Sequence, residues 1–200
     1  MKTNKPIYYL KPFCGLFFVL TILSSCASKK IETSGLRPVY VTNSKKINLL
    51  NPSKVCAVFE GVQVLNGGFG SQSFSLLSYT QIDAKGINLS LMNDFGTDMG
   101  NLFYDGSKVI FDSAYFPKAL PGEYIICDIQ NAYYDKDELR KNFEAAGLKF
   151  EVSVVENEVE IRKIFDGKNL IEEISISQNE VKIQNFLRGY SYQLVNAEDF

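Results

Sequence analysis

The 200-residue chain is 46% hydrophobic and 22% charged, with a formal net charge of −2, which is typical of one globular domain plus a short extra segment. A chain so nearly balanced in charge has no general attraction for nucleic acid, and we expect no nucleic-acid partner. The chain contains no His, which excludes Ser-His-Asp and Cys-His catalysis and HExxH zinc sites. We therefore expect neither an enzyme nor a bound metal or cofactor.

Residues 1–25 are predicted to be a secretory signal peptide. Three lysines and no acid precede an apolar run from Phe13 to Leu23. This run is shorter than the roughly 20 residues that a helix needs to span a bilayer. Small residues follow it, as in a signal peptide that is cleaved.

Cys26 is the predicted site of lipid attachment, because Leu23-Ser24-Ser25-Cys26 resembles a bacterial lipobox. The resemblance implies a diacylglyceryl group on the Cys26 thiol, cleavage before Cys26 and acylation of the new amine. The residue that follows is Ala27 and not Asp. In a Gram-negative host this implies an outer-membrane anchor, with the protein facing the periplasm. An ordinary signal with a chance Cys is the alternative.

Residues 26–52 are predicted to be the lipidated Cys and a flexible tether, since they are polar and show no sustained period. The segment Val39-Tyr40-Val41 is the one candidate for a docked extended piece. We expect residues 53–200 to form a single domain. Without its signal peptide the chain has 18 basic and 23 acidic residues.

Apolar residues alternate with polar ones along most of this domain, which predicts antiparallel strands with one buried face. A Gly-rich loop is expected at 66–70, and tight turns at Asp105-Gly106 and Asp166-Gly167. The predicted strands centre on residues 74–82, 87–92, 102–104, 109–111, 150–154, 159–161, 174–176, 181–185 and 190–194.

Two short helices are predicted between the two sets of strands. Pro121 and Gly122 precede a stretch with apolar residues at helical spacing, and Pro is favoured in a first helical turn. Asp135 and Glu138 form a capping box for a second helix, which Gly147 ends.

This order predicts an α+β fold, in which an antiparallel sheet of about 10–11 strands curls and two mid-chain helices lie across its concave face. The inward-facing apolar residues would either line a cavity for a hydrophobic ligand or fill that space with a packed core. The predicted lining residues are Phe74, Leu76, Ile87, Leu89, Leu91, Leu102, Tyr104, Phe111, Ile125 and Ile129.

Between residues 54 and 196 the chain resembles the LolB outer-membrane lipoprotein receptors, and more closely an uncharacterised family of LolB-like lipoproteins. The resemblance implies a β half-barrel that binds a lipid, glycolipid or lipoprotein and helps to transfer it to the outer membrane. It also implies a LolA-like periplasmic carrier as partner, proximity to aryl polyene genes, and a monomer. The resemblance is carried by the order of elements and by short stretches at 59–63, 89–96, 120–124 and 185–192.

The resemblance also suggests a role for Phe95. LolB has an Asn-Pro-Leu-Gly loop whose Leu protrudes and helps cargo to enter the membrane, and the matching residues here are Asn93, Asp94, Phe95 and Gly96. Asp94 replaces the Pro, whereas Phe95 keeps a large apolar side chain at the protruding position. The alternative is that Phe95 folds back onto the sheet.

Two Cys remain after cleavage and lipidation. Cys56 and Cys127 both lie in apolar segments, and an oxidising envelope would permit a disulfide between them. Free thiols are the alternative. For the protein as a whole, the alternative to ligand transfer is a non-catalytic envelope scaffold or assembly protein that has a packed core and acts through protein contacts.

Overall fold

The computed structural model describes residues 36–113, 116 and 121–197. The structural statements below concern these residues. The predicted signal peptide and Cys26 lie outside them.

Twelve strands and two α-helices make up the described chain. A pair of short strands, β1 and β2, precedes the main sheet, and the helices follow β7. The strands are β1 Val39–Tyr40, β2 Lys46–Ile47, β3 Phe59–Phe69, β4 Gln72–Asp83, β5 Gly86–Met92, β6 Asp98–Tyr104, β7 Val109–Asp112, β8 Lys149–Val154, β9 Glu160–Asp166, β10 Asn169–Ile176, β11 Glu180–Asn185 and β12 Tyr190–Asn196; the helices are α1 Gly122–Tyr133 and α2 Lys136–Ala145.

Ten strands form one antiparallel sheet in the order β7-β6-β5-β4-β3-β12-β11-β10-β9-β8. The sheet is curled and not closed, and the helices cover its concave face, as the α+β prediction required. The two strand series meet where β3 pairs with β12, from Phe69 opposite Tyr190 to Gln63 opposite Asn196. The prediction of the fold class is confirmed.

Antiparallel pairing places the turns at two ends of the sheet. The β3–β4, β5–β6, β9–β10 and β11–β12 turns share one end, which we call the upper rim. Helix α1 begins against Val109 and Phe111 of β7 and ends at the lower end of the sheet, where Tyr134 bridges to Val55 just before β3. In the described residues, no helix has both the length and the apolar character needed to cross a bilayer.

Local sequence signals explain the ends of helix α2. The Asp135 carboxylate accepts hydrogen bonds from the backbone N–H groups of Asp137 and Glu138, each at 3.0 Å. After the helix, Gly147 adopts a φ of +71°, which a residue with a Cβ rarely adopts. The predicted Asp135 cap and Gly147 stop are therefore confirmed. The capping box is not completed, because the Asp135 N–H donates to the Lys54 backbone oxygen and the Glu138 side chain pairs with Lys54 and Lys141.

The predicted tether is too long at its C-terminal end. Residues 36–52 pack onto the domain, because their apolar side chains are buried in its core: Val39 is 3% exposed, Ile47 5% and Leu49 9%. Their buried polar atoms have partners as well, since the Leu50 backbone and the Gln130 side-chain amide exchange two hydrogen bonds of 2.9 and 2.8 Å. The folded unit thus begins by Leu36.

The Gly-rich segment is a strand and not a loop, contrary to the prediction. β3 continues through Gly67 and Gly68 to Phe69, and only Gly70 and Ser71 form the turn. A Cβ at Gly67 would lie 2.1 Å from the Phe74 ring, which covers this position from the neighbouring strand. The glycine therefore makes room for an aromatic ring on the concave face.

A buried arginine fixes the end of helix α1. Arg162 on β9 is 4% exposed, and its Nη1 donates to the backbone oxygens of Asn131 at 2.8 Å and Tyr134 at 3.0 Å. Its Nε donates to Glu160 at 2.6 Å. The guanidinium thus satisfies carbonyls at the negative end of the helix dipole.

Replacement of Arg162 should destabilise the fold strongly. We expect Arg162→Ala to lower the free energy of unfolding by about 3 kcal/mol, because it leaves buried carbonyls and a carboxylate without their partner. Lys163→Ala is the matched control, since Lys163 is a partly exposed neighbour paired with Glu173, and it should cost about 0.5 kcal/mol. Urea unfolding measures both; equal losses would contradict this role for Arg162.

Candidate functional site

The predicted ligand-lining residues divide into two groups on the concave face. Phe74, Phe111 and Ile125 are partly exposed, whereas the remaining seven are packed with exposures of 4% or less. Those seven are Leu76, Ile87, Leu89, Leu91, Leu102, Tyr104 and Ile129.

The lower half of the concave face is filled by the protein itself. Tyr104 is fully buried there, and its hydroxyl donates to the Leu50 backbone oxygen at 2.8 Å. Gln130 of helix α1 donates to the same oxygen. The segment around Leu50 and helix α1 therefore close over this half, and its side chains form a core.

Half-buried phenylalanines mark the part of the same face that adjoins the start of α1. Phe116 packs edge-to-face on Phe74, with ring centroids 5.3 Å apart, and tilted against Phe111 at 6.0 Å. Gly122, the first residue of α1, fits closely against Phe111, since a Cβ there would lie 2.8 Å from its side chain. We call Phe74, Phe111 and Phe116 the aromatic mouth.

A buried acidic pair lies on the other half of the concave face, between α1 and β10. Asp128 is 5% exposed and Glu172 4%. The hydroxyls of Tyr190 and Tyr192 donate to Asp128 Oδ2 at 2.7 and 2.9 Å. Each carboxyl group also affects the pKa of the other.

Two amides complete the surroundings of Glu172. The Nδ2 atoms of Asn131 and Asn185 donate to its two carboxylate oxygens, each at 2.9 Å. These donors favour the charged form of Glu172, although burial raises the pKa of that carboxyl above its ordinary value. Burial and the neighbouring charge of Glu172 raise the pKa of Asp128 well above its usual range. The shared proton is therefore assigned to Asp128.

This arrangement is suited to holding α1 on the sheet. A paired-carboxylate hydrolase needs two acids that converge in an open cleft, whereas here tyrosine and amide donors occupy the carboxyl oxygens in a closed interior. Burial first, and then the negative charge of the acidic pair, also raises the pKa of both tyrosines. Within the described residues, no cluster of three or more acidic or Cys side chains could hold a metal ion.

The sequence analysis missed this pair, yet a signal was present. Glu172 lies two residues before Ile174 and so has the inward parity of β10, and Asp128 lies three residues after Ile125 on the apolar side of α1. An acid at an inward-facing position needs a buried partner. Asp128 and Glu172 could thus have been predicted to be each other's buried partner.

The disulfide considered above is not formed. Cys56 is exposed and Cys127 buried, and both are free thiols. The Cys56 thiol donates to the Tyr133 backbone oxygen at 3.4 Å. Burial raises the pKa of the Cys127 thiol well above its ordinary value, so it remains protonated within α1.

Phe95 is 93% exposed at the tip of the β5–β6 turn and does not fold back onto the sheet. Asn93 fixes the turn, because its side-chain oxygen accepts from the Phe95 N–H at 3.0 Å and the Thr97 N–H at 2.9 Å. The proposed lipid attachment at Cys26 lies outside the described residues.

The proton that the buried acidic pair retains predicts how the free energy of unfolding depends on pH. The folded pKa of the pair is raised, so folding retains a proton that the unfolded chain releases above about pH 4. This contribution to stability is fully present below that pH and is lost as pH rises towards the folded pKa, by about 1.4 kcal/mol per pH unit. Asp128→Asn should flatten this loss, because the amide donates to Glu172 without titrating.

Urea unfolding at a series of pH values measures this effect. Asp112→Asn, a change to an exposed carboxyl on β7, should keep the parent's slope. A parent slope retained in Asp128→Asn would show that Asp128 does not hold the proton.

Comparison with known protein families gives a match. A family model with the description "Protein of unknown function (DUF3261)" matches residues 60–198, about seven-tenths of the chain. The matched region runs from the start of β3 past the end of β12, so it contains the ten-stranded sheet, both helices and the acidic pair. No curated protein matches the sequence.

Proposed function

The chain belongs to the DUF3261 family of proteins of unknown function, and we propose that it is a cell-envelope lipoprotein that binds a hydrophobic or acyl-bearing ligand at the aromatic mouth. In this proposal Cys26 carries the acyl anchor. The ligand is a lipid, glycolipid or lipoprotein that passes to or from the outer membrane, with a LolA-like carrier as the soluble partner.

One observation carries the proposal: the concave face changes from a packed core to half-buried aromatic rings beside the start of α1. An apolar ligand binds best where rings already lie close together, because little further ordering is needed. Phe74, Phe111 and Phe116 provide such a surface beside the start of α1. The LolB-like order of elements supports the same interpretation.

The energetics favour exchange over permanent storage. Full burial of an acyl chain of a dozen methylenes would release roughly 10 kcal/mol before the costs of binding. Because side chains fill the lower half of the concave face, a bound acyl chain could contact only the aromatic mouth. Partial burial there would give a smaller gain, which suits a ligand that is handed on.

The packed lower half also favours the second candidate, a scaffold or assembly lipoprotein that acts through protein contacts. In that case the aromatic mouth is part of the core. Ligand binding by the purified protein distinguishes the two functions.

Substitutions in the mouth should weaken binding of a fluorescent fatty acid by the detergent-purified full-length protein. We expect Phe74→Ala and Phe111→Ala each to raise the Kd about tenfold, since each removes an aromatic contact of about 1.4 kcal/mol. Fluorescence titration and native mass spectrometry are the measurements.

Phe103→Ala is the matched control, because Phe103 lies on the neighbouring strand but is 37% exposed on the outer face. It should bind the probe as the parent does. If the parent protein carries no lipid and binds no probe, the ligand proposal is contradicted and the scaffold function is favoured.

The anchor has a separate test. Cys26→Ser should abolish acylation and leave the signal peptide attached, because the predicted modification needs the thiol. Intact-mass measurement of protein from the native membrane fraction detects both the missing acyl groups and the retained signal peptide. Cys14→Ser, within the predicted signal peptide, is the control and should be processed normally; processing of Cys26→Ser like the parent would disprove the lipobox assignment.

A further inference from the structure

The most exposed phenylalanines of the described residues all lie on the upper rim. Phe95 is 93% exposed, Phe69 62% and Phe186 51%, and Leu187 beside Phe186 is 40% exposed. Each phenylalanine occupies or adjoins a different turn: β5–β6, β3–β4 and β11–β12. We call these four residues the rim tips.

The three turns follow one another along the sheet, because β6-β5, β4-β3 and β12-β11 are consecutive in the strand order. Neighbouring strands lie about 4.8 Å apart, so successive turns are about 10 Å apart across the strands. The β3–β4 and β11–β12 turns are level, because Phe69 pairs with both Gln72 and Tyr190. The β5–β6 turn is set back by about 17 Å along the strands, because β5 ends at Met92 opposite Leu77, five residues from Gln72 on β4. The rim tips therefore form a slanted edge, with polar and Gly residues between the apolar side chains.

The turns hold their apolar side chains outward. Besides the Asn93 contacts that fix Phe95, the Asn185 side chain accepts from the Arg188 N–H at 2.9 Å, and the Phe186 N–H donates to the Ile171 oxygen at 2.8 Å. Gly70 and Gly189 have φ values of +60° and +68°. Contact with an apolar surface would thus cost little ordering of the backbone.

The first described residues lie at the same rim. Arg37 pairs with Glu123 at the start of α1, at 3.2 Å, and Arg188 of the β11–β12 turn donates to the Tyr40 backbone oxygen at 2.8 Å. Cys26 precedes Leu36 by ten residues, which can span at most about 36 Å. An acyl anchor at Cys26 would therefore keep the upper rim close to the bilayer.

We propose that the upper rim docks on a bilayer by inserting the rim tips into the interfacial region. Separate apolar tips with polar gaps lack the continuous apolar centre of a protein interface, whereas lipids rearrange around each tip. The tip turns carry one acid, Asp94, and one base, Arg188, so docking should not need anionic lipid. This inference rests on the proposed anchor but not on ligand binding.

The composition provides a direct experiment, since the chain contains no Trp. Phe69→Trp, Phe95→Trp and Phe186→Trp each introduce a single fluorophore into the full-length acylated protein. In phosphatidylcholine vesicles we expect their emission to shift to shorter wavelength, and brominated acyl chains to quench it. Val154→Trp is the control, because Val154 is 66% exposed at the lower end of the sheet; it should keep the emission of an indole in water.

A second comparison tests whether the tips act together. Adding Phe69→Ser and Phe186→Ser to Phe95→Trp should reduce the quenching, whereas adding Val58→Ser and Val155→Ser, at exposed lower-end positions, should not. Tip variants that behave like Val154→Trp would overturn the proposal, and so would quenching confined to position 95. Loss of the acyl group in the mass measurement would identify failure of the anchor instead.

Discussion

The burial of helix α1, which carries polar side chains among its apolar ones, against a curled sheet is the interaction on which the rest of this structure depends. Ten of the twelve residues of α1 are buried, and they include Asp128, Gln130 and Asn131. Each buried polar group needs a partner, and the strands from β9 to β12 supply most of them. The concave face is accordingly divided into a polar half that binds α1 and an apolar half, from β3 to β7, that α1 covers.

This division determines where a ligand could bind. Because hydrogen bonds to α1 and to the segment around Leu50 close the lower half, the apolar surface that stays partly accessible is the aromatic mouth. The mouth lies beside the start of α1, and Arg188 of the β11–β12 turn holds the segment around Tyr40 at the upper rim.

Much of the fold could be predicted because the signals are local. Alternation identified nine of the ten strands of the main sheet, all except β3, and the cap at Asp135 and the stop at Gly147 located α2. The errors arose where a distant contact outweighed local preference. Phe74 packs over Gly67, so β3 continues through the Gly-rich segment, and residues 36–52 pack into the core. The acidic pair was missed because Asp128 and Glu172 are far apart in sequence, and single-residue patterns do not reveal a partner.

The pairing of β3 with β12 has a consequence for how the domain is made. The Gln63 and Asn196 side chains that meet there are 133 residues apart. This pairing joins the first strand of the ten-stranded sheet to the last. During synthesis the early strands can form hairpins as they emerge, but the two halves cannot unite until the C-terminal strand arrives. Such a long-range closure is slow, and the domain therefore stays incompletely folded, with the inner edge of β3 unpaired, until β12 has emerged.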